Sequence, residues 1–462
     1  MRSVILIVGA GFSGTVFAVN LLRHLDAAPV DIYLVERGPD LGRGIAYARR
    51  SFPFLLNVPA ARLSADPNDP LQFLRFAQRL RPEVGAEDFL PREIYGDYLG
   101  DLLEEARKEA RNSTLHVVKD EVVDIRRAGK GALSVHFANR ESLRAAAVVL
   151  ASGNPPASWL AWADRLKDHP AVRDNPWELP ADIGKDHTVF IVGNGLTMAD
   201  VAMALGSKPD NTPLMLSMSR RGLLPQPQTE FRSLSLDGHG ERLLAASHSL
   251  RRLLRVSREI ADEVQREGGD WREAVTHMRA FVPQLWQKLP LSERARFLRH
   301  VQPHWDTHRH RLPPEVARRV RELRERGRLK VHAGRVQSAV AQGQKLRISW
   351  QSRGAKHMHS ALVDYAINAS GPDYVLERSR EPLIHSLRAQ GLIAGDALRL
   401  GIRTSPESAC IDTFGQTSSN LYYVGPLLRA EHWEATAATE LRDHAVRLAR
   451  QLSERLRAVQ PV

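Results

Sequence analysis

Residues 4–8 read VILIV, an unbroken apolar run of strand length, and a glycine-rich turn, GAGFSG, follows at once. Beyond the turn the apolar positions recur at helical spacing through about Asp26. VDIYLVE then alternates and ends at Glu36, completing a strand–helix–strand unit. Further downstream TLHVVKDEVVDIRR and ALSVHF alternate with period two, and AAAVVLASG is a closing buried strand. The plan then repeats. VFIVGNG at 189–195 runs into a helix from about Leu196, PLMLSMSRRG is the next strand, and RLKVHAGRVQSAV, KLRISW and ALVDYAINASG follow. Both copies close on the same triplet, Ala151-Ser152-Gly153 and Ala369-Ser370-Gly371. Between about 225 and 325 the second copy carries a mostly helical, arginine-rich stretch.

The pattern predicts an α/β protein of two Rossmann-like dinucleotide-binding units, each of the three-layer ββα type, the second inserted in the first. The expected boundaries are 1–155 with 365–462 for the first unit and 185–365 for the second, with the helical insertion at about 225–325. A single Gly-x-Gly-x-x-Gly is weak evidence, but a repeat of the turn with its whole downstream plan is strong.

The glycines carry the chemistry. Gly9 permits the tight turn, Gly11 lets a pyrophosphate approach the backbone, and Gly14 lets the helix pack close to the strand. The helix start at Phe12 and Ser13 then offers free N–H groups and partial positive charge to phosphates. Glu36, at the end of the second strand, suits two ribose hydroxyls, so the first site suits FAD, with Arg37 beside it. In the second copy Gly193 and Gly195 stand for the first two glycines, and Ala199 falls one residue after the place of the third. Aligning Arg37-Gly38 with Arg221-Gly222 puts Arg220 where Glu36 stands. A guanidinium binds a 2′-phosphate that a carboxylate would repel, so the second site suits a nicotinamide cofactor, NADPH in preference to NADH. Solvated surface arginines are the competing reading.

Composition narrows the classes. The chain has 462 residues and a net charge of +12, from 65 Lys and Arg against 53 Asp and Glu. The excess lies on helix-like stretches with interleaved acids, such as RRVRELRERGR, which read as solvated faces rather than a nucleic-acid surface. Cys410 is the only cysteine, which excludes an internal disulfide and a dithiol reductase mechanism. No apolar run approaches the ~18 residues of a membrane span. The short N-terminal apolar run is no signal sequence, and a cytoplasmic protein is expected.

Several segments resemble a known group. LGRGIAY at 41–47, LLNVPAARLSADPNDPLQFLRF at 55–76, FLPREIYGDYL at 89–99, WDTHRHRLPP at 305–314 and LYYVGPLLRAEHWEATAATELR at 421–442 carry the likeness. With the two glycine turns, the chain resembles the two-dinucleotide-domain flavoproteins that include bacterial FAD-dependent urate hydroxylase and asparagine N-monooxygenase. It is more distantly similar to ornithine and lysine N-hydroxylases and flavin-containing monooxygenases. The resemblance implies a monooxygenase in which NAD(P)H reduces FAD, and the reduced flavin and O2 form a C4a-hydroperoxide that oxygenates a small molecule. It implies urate as the substrate, giving 5-hydroxyisourate, with an N-hydroxylated amine or amino acid as the alternative. A non-catalytic FAD-binding module and an RNA-associated reductase are further alternatives.

By the same resemblance Asn57 lies against the flavin ring, Arg62 supplies positive charge near substrate and flavin, and Arg92 with Tyr95 abuts the flavin. Gly425 marks a glycine turn whose helix points at the flavin, and Gly371 closes the second strand plan. Each has a structural rival: an Asx turn before Pro59 for Asn57, a pair with Asp66 for Arg62, and a helix tether for Arg92. Trp433 and Glu434 read equally as packing residues. His304, His308 and His310 suggest a metal, but Pro303 and Pro313-Pro314 argue against the continuous helix a paired site needs, so anion contact or packing is expected. Arg232, His239 and Trp305 are candidates for a substrate shell within the insertion.

Overall fold

The computed structural model of the chain describes residues 2–25, 29–129, 131–229 and 238–459. In chain order β1 (Ser3–Val8), α1 (Phe12–His24) and β2 (Val30–Glu36) come first, then α2 (Gln72–Leu80) and α3 (Arg92–Glu109). β3 (Thr114–Lys119), β4 (Val122–Ala128), β5 (Ala132–Phe137), β6 (Leu143–Ala145) and β7 (Ala147–Leu150) follow. Next are β8 (Val172–Arg173), β9 (Thr188–Val192), α4 (Leu196–Leu205) and β10 (Leu214–Ser219). A run of helices comes after them: α5 (His239–Ala245), α6 (Leu250–Arg266), α7 (Trp271–Lys288), α8 (Leu291–His300), α9 (Gln302–Arg309) and α10 (Pro314–Glu325). β11 (Leu329–Gln342), β12 (Lys345–Ser352), β13 (Met358–Val363) and β14 (Tyr365–Asn368) lead to α11 (Pro382–Ala389), β15 (Ala409–Ile411), β16 (Thr417–Tyr423) and α12 (Ala438–Val459). The chain divides into two units, Met1–Pro155 with Tyr374–Val462, and Pro156–Asp373.

The boundaries differ from the expected ones because of strand pairing. β14 lies parallel to β9, with Tyr365 opposite Val189, so residues 365–368 complete the second sheet instead of opening the return to the first. β8 pairs with β14, which draws the start of the second unit back to 156.

In the first unit a six-stranded sheet has the order β15-β16-β7-β1-β2-β3. β1 is apolar at every interior position because both faces of the sheet are covered. Ile5 and Ile7 point into a layer with α1, α3 and α12, where Val16, Phe17, Leu99 and Leu448 are buried. Leu6 points the other way, toward Ile125 and Val135 of the small β4-β5-β6 sheet and Leu387 of α11. This is the three-layer ββα arrangement, produced by a side-chain period of two in a central strand. β7, β1 and β2 run parallel, as do β16 and β7, so their carboxyl ends share one edge. The chain leaves β1 through α1 toward β2, whereas β7 flanks β1 on the other side, which makes β1 the switch point where such sheets bind ligands.

In the second unit the order is β13-β12-β11-β10-β9-β14-β8, with β9 as the counterpart of β1. Leu346, Ile348 and Trp350 pack on Phe190, Leu216 and Met218. The helices between β10 and β11 build a core of their own from Leu243, Ile260, Val264, Ala274 and Met278. Residues 302–309 are helical despite Pro303, because it occupies the first turn, where no intrahelical N–H bond is needed. Pro313 and Pro314 open α10 in the same manner. α1 ends at His24, and Asp26 lies outside the described residues. Among the described residues no helix is long and apolar enough to cross a membrane.

A buried imidazole, His444, and a half-buried one, His432, set a pH limit on the first unit. The His432 and His444 rings are 4.3 Å apart, and Arg447 bonds His444 Nδ1 at 2.8 Å. Burial, with the Arg447 charge, pushes His432 down to about 4; burial, with His432 and Arg447, pushes His444 down to about 3. Both pKa values lie below the unfolded value of about 6.5, so the unfolded chain binds more protons in acid. Their contribution to stability is therefore full above pH ~6.5 and is lost as pH falls toward the folded values. Calorimetry from pH 7 to 4 should show a falling Tm whose slope is shallower in a His432→Phe/His444→Leu double variant.

Candidate dinucleotide sites

At the end of β1 the Gly9 N–H donates to Val35 O at 2.8 Å, and φ at Gly9 is +101°. A Cβ on Gly9 would stand 2.5 Å from the Ala151 carbonyl, and one on Gly14 would stand 1.9 Å from the Gly9 carbonyl. Glycine at both positions is thus a steric requirement of packing α1 against the ends of β1 and β7. α1 begins with Thr15 N–H donating to Gly11 O at 3.0 Å, so the first-turn N–H groups of Phe12, Ser13 and Gly14 have no intrahelical acceptor. A Cβ on Gly11 would lie 3.5 Å from Gly44 Cα, so two bare backbones face each other across a slot. Glu36 accepts from the Ala10 N–H at 2.8 Å and the Gly38 N–H at 2.7 Å. A carboxylate has about four acceptor positions, so two remain for a diol. These residues fit FAD in the expected way: donors for phosphates, an ordered carboxylate for a ribose.

Arg37 does not join them. Its guanidinium pairs with Glu381 at 2.8 and 3.2 Å and with Glu121 at 3.0 Å, which holds its pKa above the ordinary arginine value. It ties the end of β2 to the start of α11.

The second unit repeats the backbone device with different side chains. Gly193 has φ +116°, its N–H donates to Met218 O at 2.7 Å, and a Cβ there would stand 2.2 Å from Ala369 O. Ala199 N–H donates to Gly195 O at 3.2 Å, as Thr15 does to Gly11. Ala199 is thus the counterpart of Thr15, and buried Met198, rather than Ala199, takes the place of Gly14. Around Gly195 the Cβ position is open space. Gly371, with φ +87°, follows β14 and belongs to this unit, where it mirrors Gly153.

Strand register also moves the charge comparison by one residue. Val8 pairs with Val35, and Val192 with Met218, so Ser219 occupies the place of Glu36 and Arg220 that of Arg37. The turn after β10 holds one more residue before its glycine than the turn after β2, so aligning the Arg-Gly pairs shifts the comparison. Ser219 Oγ accepts from the Gly222 N–H at 3.0 Å, as Glu36 does from Gly38. Arg220 is exposed and makes no ion pair among the described residues, unlike Arg37. Arg221 is tied down, donating to Arg299 O at 2.8 Å.

The three residues assigned to catalysis lie in the first unit. Arg92 Nε donates to Leu55 O at 3.0 Å, its N–H donates to Phe54 O at 2.8 Å, and its guanidinium is 6.0 Å over the Phe54 ring. These contacts make it a tether for the start of α3. Arg62 is half-exposed and pairs with Glu87 at 3.1 and 3.2 Å, while Asp66 pairs with Arg23. Asn57 is half-buried, and its amide makes no Asx-turn bond among the described residues. Buried Tyr95 donates to Leu63 O at 2.7 Å and stacks 6.1 Å from Phe12, anchoring this segment beneath α1. Gly425, with φ +147°, follows β16, but the next element is the 3-10 turn Pro426–Ala430 and not an α-helix. The Tyr423 hydroxyl accepts from the Leu427 N–H at 3.2 Å, tying this turn to the end of β16.

Two of the insertion candidates, His239 and Trp305, make packing contacts. His239 Nε2 lies 3.0 Å from Glu263, which also holds Arg242, and Trp305 packs on the insertion core. Arg232 lies outside the described residues. His308 Nδ1 bonds the His304 carbonyl at 2.7 Å, and among the described residues no group of three His, Cys, Asp or Glu could hold a metal. Two guanidiniums escaped the sequence reading. Arg43 is buried, bonded to Glu93 O and Asp97 beneath the Gly42–Gly44 turn. Arg429 lies over the rings of both Tyr374 and Trp433, and its four-residue spacing from Trp433 was the available signal.

Comparison with known proteins agrees with this architecture. Residues 6–155 match a family model described as FAD-NAD(P)-binding. No curated protein sequence matches the chain. Among solved structures the chain is similar to the reduced form of ornithine hydroxylase from Pseudomonas aeruginosa, with a TM-score of 0.65 and 17% identity over 99% of this chain and 100% of that one. L-lysine 6-monooxygenase from Pseudomonas syringae has a TM-score of 0.65 and 16% identity, with all of both chains covered. The FAD-bound cadaverine monooxygenase of Erwinia amylovora has a TM-score of 0.63 and 12% identity over 100% and 96%.

The tether role of Arg92 is measurable. Arg92→Ala should lower stability by ~1.5–3 kcal/mol, the range for one lost charged hydrogen bond, and leave flavin affinity within about twofold. Chemical denaturation and flavin titration read the two quantities separately.

Proposed function

We propose that the chain is an FAD-dependent monooxygenase that takes electrons from NADPH and hydroxylates an amine nitrogen. The observation that carries the cofactor assignment is the contrast at the ends of β2 and β10. Two matching glycine turns are followed by an ordered carboxylate, Glu36, in one unit and by Ser219 and an exposed Arg220 in the other. A carboxylate selects ribose hydroxyls and repels a 2′-phosphate; a hydroxyl with a guanidinium does the reverse.

When bound, FAD supplies the electron transfer and oxygen activation that no side chain here provides. The residues hold and orient. The α1 N-terminus receives the FAD pyrophosphate, and Glu36 receives its ribose. The α4 N-terminus, behind open Gly195, receives the nicotinamide dinucleotide, with Ser219 and Arg220 on the 2′-phosphate. Asn57 keeps an amide available to a ring edge. Arg62 would have to leave Glu87 to reach a ligand, so it is given no role.

The amine reading is supported by the ornithine, lysine and cadaverine enzymes named above. Urate hydroxylation, to which the sequence resemblance pointed, has no counterpart among them. The test is oxygen uptake by the FAD-loaded protein with NADPH in the presence of ornithine, lysine, cadaverine or urate. Stimulation by an amine, with a product heavier by one oxygen, is expected. Stimulation by urate alone, with bleaching of its absorption, would contradict the amine assignment.

The phosphate assignment has its own test. Arg220→Gln should raise KM for NADPH about 10- to 100-fold, the equivalent of ~1.5–3 kcal/mol for a charged hydrogen bond. KM for NADH should stay within about twofold, and equal effects on both coenzymes would remove Arg220 from the site.

A further inference from the structure

Arg429 has an arrangement that the proposed chemistry has not yet used. It lies in the 3-10 turn that follows Gly425 at the carboxyl end of β16. Its guanidinium carbon is 3.9 Å from the centroid of the Trp433 ring and 5.0 Å from that of Tyr374. Two aromatic rings therefore hold the cation in place, and the attraction of each is worth ~0.5–2 kcal/mol. Its Nε is buried without a hydrogen-bond partner, and no carboxylate pairs with it among the described residues. Elsewhere in this unit the inward-turned guanidiniums of Arg43, Arg23 and Arg92 all have oxygen acceptors. A guanidinium held against rings in a half-buried place, with donors left over, is suited to a planar anionic partner.

Topology says which part of a bound dinucleotide comes near. β16, β7, β1 and β2 are neighbours in that order, with their carboxyl ends on one edge. Glu36 at the end of β2 holds the adenosine ribose, and the α1 N-terminus beside β1 holds the pyrophosphate. The other half must then extend away from β2, over the ends of β7 and β16, where Gly153, Gly425 and Arg429 stand. Neither Gly153 nor its surroundings obstruct it, since a Cβ on Gly153 would meet nothing within 4 Å.

We propose that Arg429 holds the negative charge of the reduced flavin, as a positioning and charge-stabilising residue of the FAD unit. The inference rests on the FAD reading given above. Hydride transfer to flavin N5 breaks a C–H bond of the nicotinamide, forms an N–H bond and leaves the nicotinamide as a cation. The flavin, having gained two electrons and one proton, carries one negative charge shared between N1 and the C2 carbonyl. A fixed guanidinium favours that state over the neutral oxidised ring, which raises the midpoint potential. Trp433 and Tyr374 act through Arg429 by keeping it in place.

The experiment is equilibrium reduction of FAD-loaded wild-type protein, Arg429→Gln and Arg429→Lys against a reference dye at pH 8. Arg429→Gln should lose about tenfold in preference for the reduced form, ~30 mV for a two-electron couple. Arg429→Lys, which keeps the charge, should recover most of it. Tyr374→Leu, which removes one stacking face and leaves the charge, should give a smaller fall and serves if the Gln variant does not fold. An unchanged potential in Arg429→Gln with FAD fully bound would overturn the inference. So would an unchanged potential with a raised KM for the oxygenated substrate, which would assign Arg429 to that substrate instead. A wild-type protein that binds no FAD would instead overturn the FAD reading on which the inference rests.

Discussion

The carbonyl oxygen of Gly9 leaves no space for a side chain at position 14, where a Cβ would stand 1.9 Å away. That close approach lets α1 begin directly at the carboxyl edge of β1, with its unpaired N–H groups above the sheet. Ile5 and Ile7 on one face and Leu6 on the other hold β1 rigidly between two layers, so the edge is a fixed platform. The Glu36 carboxylate, bonded to the Ala10 and Gly38 N–H groups, closes the platform on one side. The Val424 N–H, bonded to the Leu150 carbonyl at 2.9 Å, joins the Gly425 turn to it on the other.

The second unit keeps the platform and changes its charge. Gly193 presses on the Ala369 carbonyl as Gly9 presses on that of Ala151, so the tight turn survives. Met198 stands where Gly14 does, so α4 packs without the third glycine that α1 requires, while the first glycine is kept in both units. Ser219 takes the place of Glu36, and Arg220, unlike Arg37, makes no ion pair among the described residues, so the same backbone suits a more anionic ligand. On the proposed reading one fold serves two dinucleotides, with selection in two or three residues at the end of the second strand.

Both units were legible in the sequence because period-two strands, glycine turns and their repetition are local patterns. What could not be read depended on pairing or on distant partners. Arg220 was matched with Glu36 because both turns contain Arg-Gly, and only hydrogen-bonded register shows the additional residue. The ion pair of Arg37 is invisible in sequence because its partner Glu381 is 344 residues away. Arg62 and Arg92 looked catalytic for the same reason, since neither Glu87 nor the Leu55 carbonyl is visible as a partner in sequence. Pro303 suggested a helix break but falls in a first turn, a matter of one position. Arg429 went unread because one of its two rings, Tyr374, arrives only where the chain returns from the second unit.

If the two differently charged dinucleotide platforms make one electron-transfer protein, reducing equivalents pass from NADPH to FAD. Anaerobic mixing of the FAD-loaded protein with NADPH, followed by the flavin absorption, measures that step. NADPH should bleach the oxidised flavin band, and faster than NADH at equal concentration. A protein that binds no FAD, or whose flavin is reduced by dithionite but by neither nicotinamide coenzyme, would contradict it.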